Sequence, residues 1–329
     1  MGSVIETFKE RCTTRQTTLV FPEGEDERIL GAASALVEDG LASPVILGDP
    51  DVIRTVADQH QVSLEDLEVI DPKTDEARGP YATEYTRVRP VSEETAMKIV
   101  GNELVFAALA VRTGDADAMI GGCVRTSGEL ISAAEEVIGL RPDVSVPSSF
   151  FIMELADGDV LFFADSALNE NPTAEELADV AVTTGENAAT LMEWQSRVAL
   201  LSFSTKGSAD HPDVEKVRKA TELAAERAGD CHVDGELQAD AALDEDTAAR
   251  KLGDLGQVAG RANTLIFPDL DAGNIGYKLT QELGGASAFG PILQGFTEPI
   301  SDLSRGASVE DIVGVAAITA SLATGEEHP

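Results

Sequence analysis

The sequence predicts an α/β protein of two domains, each a sheet covered by helices, and three observations predict it. Strand-like apolar runs alternate with helix-like ones almost throughout, the βαβα rhythm that builds a parallel sheet under helices. The chain has 329 residues, which suits two domains of about 150 better than one core. Polar, glycine-containing clusters recur just after the strand-like runs, where open α/β sheets bind ligands.

In order, "TTLVFPEGEDERILGAASALVEDG" (17–40) reads as a strand, a turn and an amphipathic helix, with Leu30, Ala33, Leu36 and Val37 at helical spacing. "SPVILGD" (43–49) and "LEVIDP" (67–72) read as short strands. "SEETAMKIVGNELVFAALAVRTG" (92–114) reads as one long helix with Ser92 and Thr95 in its first turn, leading into the buried-strand pattern "ADAMIGG" (116–122). The middle changes character. "SSFFIMELADGDVLFFAD" (148–165) carries Asp157-Gly158 between two apolar runs, a hairpin signal. A helix over 173–194, the strand "RVALLSF" (197–203), a helix near 211–229 and the strand "NTLIFPD" (263–269) follow. A helix near 272–283, a Gly/Pro-rich crossing "GGASAFGPILQG" (284–295) and an apolar helix after Ser308 end the sequence. No Pro/Ser linker separates the halves, so the chain is expected to cross between domains more than once, with a cleft between them.

Charge excludes several function classes. Acidic residues number 59 against 24 basic ones, a net charge of −35, which disfavours nucleic acid and anionic membranes as partners. The acids are spread between apolar segments, so a folded protein with a hydrated carboxylate surface in concentrated salt is expected. At about 1 M salt the Debye length is roughly 3 Å, and self-repulsion is screened. Hydrophobic residues make up 43%, enough for a real core, yet no apolar stretch reaches the roughly 20 residues of a membrane span. The start "MGSVIETFKERCTTRQ" has no apolar h-region, so no secretory signal is expected, and Met1-Gly2-Ser3 before Glu6-Thr7 is not a clean myristoylation start. Cys12, Cys123 and Cys231 and His60, His211, His232 and His328 are scattered without CxxC or HxxxH spacing. Neither a metal site nor a disulfide framework is expected, and the reading is a reduced, cytoplasmic protein.

The clusters at the strand ends are "GGCVRTSGE" (121–129), "ADSALNENPT" (164–173), "SFSTKGSAD" (202–210) and "FPDLDAGNIGYK" (267–278). One alone is more often a helix cap than a ligand site, but their recurrence with "DLSRGASVED" (302–311) predicts a binding cleft. In "STKGSAD", glycine, hydroxyls and Lys206 ahead of a helix would cradle phosphate through backbone N–H groups. GxxxxGK[ST], GxGxxG and GxSxG are absent, which argues against a P-loop, a dinucleotide-binding Rossmann domain and a hydrolase elbow. Cys123 reads as a small buried filler rather than a nucleophile. "DLSRGASVED" has two readings. Ser308 with Asp311 is a capping box, in which Asp311 only holds a backbone N–H. Ser304-Arg305-Gly306 is left unexplained by that box. An Arg ahead of a helix N-terminus adds a fork of donors to an end already favourable to anions. Arg, hydroxyl, helix end and carboxylate together suit chemistry on a phosphorylated carbonyl compound.

"FPDLDAGNIGYKLTQELGGASAFGPILQGFTEPISDLSRGASVEDIV" (267–313), "LSFSTKGSA" (201–209) and "FADSALNENPTAEELA" (163–178) resemble the phosphate acetyltransferases (phosphotransacetylases) of the phosphate acetyl/butyryl transferase family. The resemblance spans essentially the whole chain, is strongest from about residue 148 and, with the acidic charge, points to a halophilic archaeal type. It implies two three-layer α/β/α domains of isocitrate/isopropylmalate dehydrogenase-like architecture, residues 1–138 with 291–329 and residues 139–290, an active site in the interdomain cleft, and a homodimer. The implied reaction is acetyl-CoA plus phosphate to CoA plus acetyl phosphate, with coenzyme A and acetyl-CoA as substrates and no tightly bound cofactor or metal. By motif, Asp311 is the implied base for the CoA thiol, Arg305 the phosphoryl ligand and Ser304 a hydrogen-bond donor. A reference Asp near 3.9 lies about 4 to 5 units below a thiol near 8.5, so the pair must be tuned.

Further site residues come from the same resemblance. The family's second arginine block is "EYTRVRP" (84–90) here, which offers Arg87 and Arg89 at altered spacing; Arg87 is taken as the family's arginine, against the plain reading of an exposed loop Arg. At 121–138 the family reads roughly Gly-Ala-x-His-Ser-Thr-Ala-Asp and then Arg, whereas this chain places Glu129 for the Asp and Ser132 for the Arg. Either Arg125, from the previous turn, supplies the charge, or the affinity for phosphate is lower. Ser204, Thr205, Lys206, Asn169, Asn171, Asn274 and Lys278 are the implied substrate-binding residues on the CoA side, in the second domain. The alternatives are a phosphate butyryltransferase, which shares fold and chemistry, and a non-catalytic acetyl-CoA-sensing domain like those appended to malic enzymes. A decarboxylating dehydrogenase is disfavoured by the lack of a metal-carboxylate cluster or nicotinamide motif.

Overall fold

The computed structural model describes residues 3–14 and 16–323; Met1-Gly2, Arg15 and the segment that holds His328 lie outside the described residues. Two units emerge, one from the residues up to Leu140 joined by those from Phe296 onward, the other from Arg141–Gly295.

The first unit opens with α1 (Val4–Cys12), β1 (Thr18–Phe21), α2 (Glu27–Glu38), β2 (Ser43–Leu47), α3 (Pro50–His60) and β3 (Glu68–Ile70). It continues with α4 (Arg78–Val88), α5 (Glu93–Ile99), α6 (Glu103–Thr113), β4 (Ala118–Gly121) and α7 (Ser127–Val137). The second unit holds β5 (Ser148–Glu154), β6 (Val160–Ala164), α8 (Ala174–Met192), β7 (Arg197–Leu201), α9 (Pro212–Arg227) and β8 (His232–Leu237). After these come α10 (Ala239–Leu243), α11 (Glu245–Leu252), β9 (Thr264–Ile266), α12 (Leu270–Gly284) and β10 (Ser287–Gln294). The chain then re-enters the first unit with β11 (Ile300–Asp302) and α13 (Val309–Ala323).

In the first unit the strand order is β3-β2-β1-β4-β11, every pair parallel. Parallel strands are buried on both faces, which is why β1 and β4 are continuous apolar runs. Leu19, Phe21, Ile29, Leu30, Leu36, Ile46, Leu47 and Phe106 are wholly buried or nearly so. Each such side chain contributes about 1.5–3 kcal/mol over leaving it in water. α13 buries Ile312, Val313, Val315, Ala316, Ala317 and Ile318 and packs on α1, α2, β4 and β11. This anchors the segment just before it, "LSRGAS", at the carboxyl edge of the sheet.

In the second unit the order is β10-β5-β6-β9-β7-β8. β10, β5 and β6 are antiparallel neighbours, and β6, β9, β7 and β8 run parallel. Phe151, Met153, Phe163, Leu201, Leu237, Val258 and Leu265 share one core cluster.

Two expectations are corrected. The stretch 92–114 is two helices, because Asn102 Oδ1 accepts the N–H groups of Leu104 (3.0 Å) and Val105 (3.3 Å) and so starts α6 afresh. Gly101 and Asn102 are poor helix interiors, and asparagine gains more as a cap. The Gly/Pro-rich crossing is the strand β10, paired with β5 and slipping register between Phe289 and Ile292. That slip is where Gly290-Pro291 falls, and a proline is tolerated at such an irregularity.

Candidate active site

β11 stops at Asp302, and Leu303 N–H donates to Gly121 O at 2.7 Å, tying the outgoing loop to the end of β4. Ser304, Arg305 and Gly306 then form an exposed turn, with Ala307 N–H donating to Ser304 O (2.9 Å) and Gly306 N–H to Ser304 Oγ (3.2 Å). At the start of α13 the capping box is formed. Asp311 N–H donates to Ser308 Oγ (3.2 Å), while Asp311 Oδ2 accepts from Ser308 N (2.9 Å) and Oγ (2.8 Å). Asp311 is exposed, and these bonds use only one of its oxygens.

The turn is held by a residue that sequence reasoning missed, Arg28. Its guanidinium makes a fork with Asp26, Nε to Oδ1 at 3.0 Å and Nη2 to Oδ2 at 2.8 Å. Nη1 donates to the carbonyls of Arg305 (2.7 Å) and Ala307 (3.2 Å), and Nη2 to Cys123 O (3.1 Å). Bidentate Asp26 raises the pKa of Arg28, and against the desolvation of burial the Arg28 bonds hold the Asp26 carboxyl below its usual range. The available signal was an arginine in the first turn of a helix, where a cation opposes the helix dipole unless it is paired.

The loop from β4 to α7 lies beside this turn. Gly122 has φ +116°, and a Cβ there would fall 2.2 Å from Asp302 Oδ1, so only glycine fits. Ser127 Oγ donates to Asp302 Oδ2 at 2.5 Å, while Oδ1 is buried without a hydrogen-bond partner among the described residues. Burial pushes the Asp302 carboxyl up to about 6, with the Ser127 bond opposing it. Burial likewise pushes the Cys123 thiol up to about 12, which suits the filler reading. Arg125 reaches Glu103 at 3.4 Å and Glu129 at 3.9 Å. Glu129 itself closes a capping box with Thr126, and Ser132 lies exposed on α7. A cavity of about 330 Å³ opens here, lined among others by Glu23, Asp26, Glu103 and Arg125. Arg87 sits apart, in the last turn of α4, 72% exposed and paired with Glu84 at 2.7 Å. No bond joins it to the Arg305 turn among the described residues.

In the second unit, the strand-end loops are already served by internal carboxylates. The expected phosphate cradle in "STKGSAD" has its Gly207 N–H donated to Glu236 Oε1 at 2.7 Å and its Ser204 Oγ to the same oxygen at 2.9 Å. Burial works to raise the pKa of Glu236, but these hydrogen bonds hold it below the usual range. Lys206 Nζ donates to Asp234 and to Gly235 O, and Thr205 exchanges hydrogen bonds with Gln238. Asn169 donates to Asp165 Oδ2 (2.6 Å) and Pro147 O (2.9 Å). Asn171 accepts from Lys216 (2.9 Å), Asn274 donates to Ser166 O (3.1 Å), and Lys278 lies 4.9 Å from the Tyr277 ring. Among the described residues, no group of three or more His, Cys, Asp or Glu is placed to hold a metal ion, and no helix is long and apolar enough to cross a membrane.

The family pattern described as Phosphate acetyl/butaryl transferase matches residues 3–320. The chain belongs to this family. Among its relatives, the phosphate acetyltransferase of Thermoanaerobacterium thermosaccharolyticum is 43% identical over 326 residues, 97% of this chain and 98% of that one. That of Clostridium acetobutylicum is also 43% identical, covering 96% of this chain and 97% of that one. A phosphotransacetylase structure from Streptococcus pyogenes superposes with a TM-score of 0.92 at 40% identity, covering 97% of this chain and 98% of that one. The family thus has the mixed α/β fold described above. A branched-chain phosphotransacylase from Enterococcus faecalis, 19% identical with a TM-score of 0.71, shares the fold.

Proposed function

We propose that the chain is a phosphate acetyltransferase that moves an acetyl group reversibly between CoA and phosphate. The observation that carries this is the Ser304-Arg305 turn, clamped by Arg28 ahead of the α13 N-terminus, in a chain of this family. Arg305 binds the phosphoryl oxygens of acetyl phosphate, and the helix end adds favourable potential. The Asp311 oxygen that the capping box leaves takes the CoA thiol proton. The thiolate sulfur attacks the acetyl carbonyl, Ser304 donates to the oxyanion, the C–O bond to phosphate breaks, and phosphate leaves with the proton. No acyl-enzyme is needed.

Other assignments join this proposal. Arg87 and Arg125 bind substrate phosphates, and CoA lies on the loops of the second unit through Ser204, Thr205, Lys206, Asn169, Asn171, Asn274 and Lys278. The dehydrogenase-like architecture is supported by two α/β units that each carry parallel strands. A homodimer is supported by Ile275, Leu279 and Leu283, which expose 56, 52 and 82% of their surface along α12 at a spacing of four. Cytoplasmic, salt-adapted life is supported by the net charge of −35, although the relatives named above are bacterial, so archaeal origin has no support from them.

The test is acetyl-CoA formation from acetyl phosphate and CoA in roughly 2–3 M KCl, where surface charge is strongly screened. Turnover that Arg305→Ala abolishes supports the reading. Acetyl-CoA binding without turnover makes the chain a sensor. Equal turnover with butyryl phosphate makes it a broader acyltransferase, since a methylene changes discrimination by only about 1–3 kcal/mol.

A further inference from the structure

Glu23 stands just past β1, is 7% exposed, and takes no part in the chemistry above. Its Oε2 accepts the N–H groups of Gly122 and Cys123, both at 2.8 Å. Its Oε1 accepts those of Val124 (3.0 Å) and Arg125 (2.5 Å). Successive amides converging on one anion form the concavity by which backbone binds phosphate. Here the anion belongs to the chain itself, and both of its oxygens are used.

The same loop is wired to the Arg305 turn. Cys123 O shares the Arg28 guanidinium with Arg305 O and Ala307 O. Ser127 binds Asp302, two residues before Ser304, and Gly121 O receives Leu303 N–H. We infer that Glu23 is a positioning residue for acyl transfer: an internal anion that fixes the 122–127 loop, and through Arg28 the Arg305 turn, while closing the amide nest to substrate phosphate. This rests on the site at Ser304, Arg305 and Asp311 proposed above. A glutamine of the same shape keeps one acceptor oxygen but turns an NH₂ toward two of the four N–H donors. That side of the nest must open. Alanine instead empties the nest and leaves four amides that a small anion can fill.

The experiment compares full-length Glu23→Gln and Glu23→Ala with the unaltered chain in the acetyl phosphate assay, with circular dichroism as the check on folding. Small misplacements of reacting groups cost about 10–100-fold, so Glu23→Gln is expected to lose that much kcat/KM for acetyl phosphate, part of it as a raised KM. Formate is expected to restore the KM of Glu23→Ala and to leave Glu23→Gln and the unaltered chain unchanged. KM does not depend on how much protein is folded, so a scaffold role alone would not move it. Constants for Glu23→Gln within about twofold of the unaltered chain would overturn the inference. So would formate raising only the melting temperature of Glu23→Ala. If Glu23→Ala does not fold, Glu23→Gln decides by the same constants. Arg305→Ala, run alongside, separates the two failures: its full activity would sink the site itself, whereas its inactivity beside a normal Glu23→Gln would sink only the positioning role.

Discussion

Replacing Asp311 by Ala and by Asn separates the cap from the base. Alanine removes the bonds that Asp311 accepts from Ser308, at 2.9 and 2.8 Å, but keeps the Ser308 Oγ cap on its own N–H, so it costs about 0.5–1.5 kcal/mol. Asparagine keeps a carbonyl oxygen for the Ser308 N–H and loses only the charge at the helix start, about 0.3–1 kcal/mol. For a domain of this size each kcal/mol moves Tm by about 2–4 °C, so Asn should melt within a few degrees of the unaltered chain. The catalytic role is on another scale. A positioned general base contributes about 10²–10⁴-fold, or roughly 2.7–5.5 kcal/mol of barrier. Acetyl-CoA formation, measured with thermal melts on the same samples, should show Asn nearly as stable as Asp and slower by that factor. Asp311→Asn keeping turnover within about threefold, with Asp311→Ala losing only stability, would refute the base and leave the capping box as the whole explanation.

Asp302 carries a pH signature. Its carboxyl is raised by burial from 3.8 to about 6, so over that interval the folded chain holds a proton that the unfolded chain has released. Its stabilising share is full below the lower value and is lost as pH rises through the upper one, at most about 3 kcal/mol. Denaturant unfolding across that window should therefore show a shallower fall for Asp302→Asn; an unchanged slope would contradict the burial effect. Cys123→Ala should keep turnover within about threefold, because a thiol pushed up to about 12 is almost wholly protonated at neutral pH. Abolished turnover in a folded Cys123→Ala would contradict the filler reading. With a net charge of −35, the Tm should climb steadily between dilute buffer and roughly 2–3 M KCl, and a flat response would remove the salt-adapted reading.

Much of the architecture was legible because it is periodic or local. The hairpin around Asp157-Gly158, the helix over 173–194 and the closing apolar helix were read from spacing and turn residues, and they form as β5–β6, α8 and α13. The break at Gly101-Asn102 was missed because apolar periodicity runs across it, and the cap wins by satisfying two N–H groups. β10 was missed because glycine and proline masked its alternation, and its pairing with β5 overrides them. The turn of Ser304-Arg305 and the capping box were readable within one short stretch, since their partners lie within three residues.

The sequence by itself determined the acidic surface, the alternation of strands and helices, and the ordered motifs that place the chain in its family, because each is a local pattern or a sum over residues. Only the tertiary structure decided which distant groups hold those motifs in place. Glu23 meets the 122–125 amides from about a hundred positions away, Ser127 meets Asp302 across 175, and Arg28 meets Arg305 across 277. A buried amide or carboxylate must find a partner wherever topology brings one, and strand order, not neighbouring sequence, sets that choice.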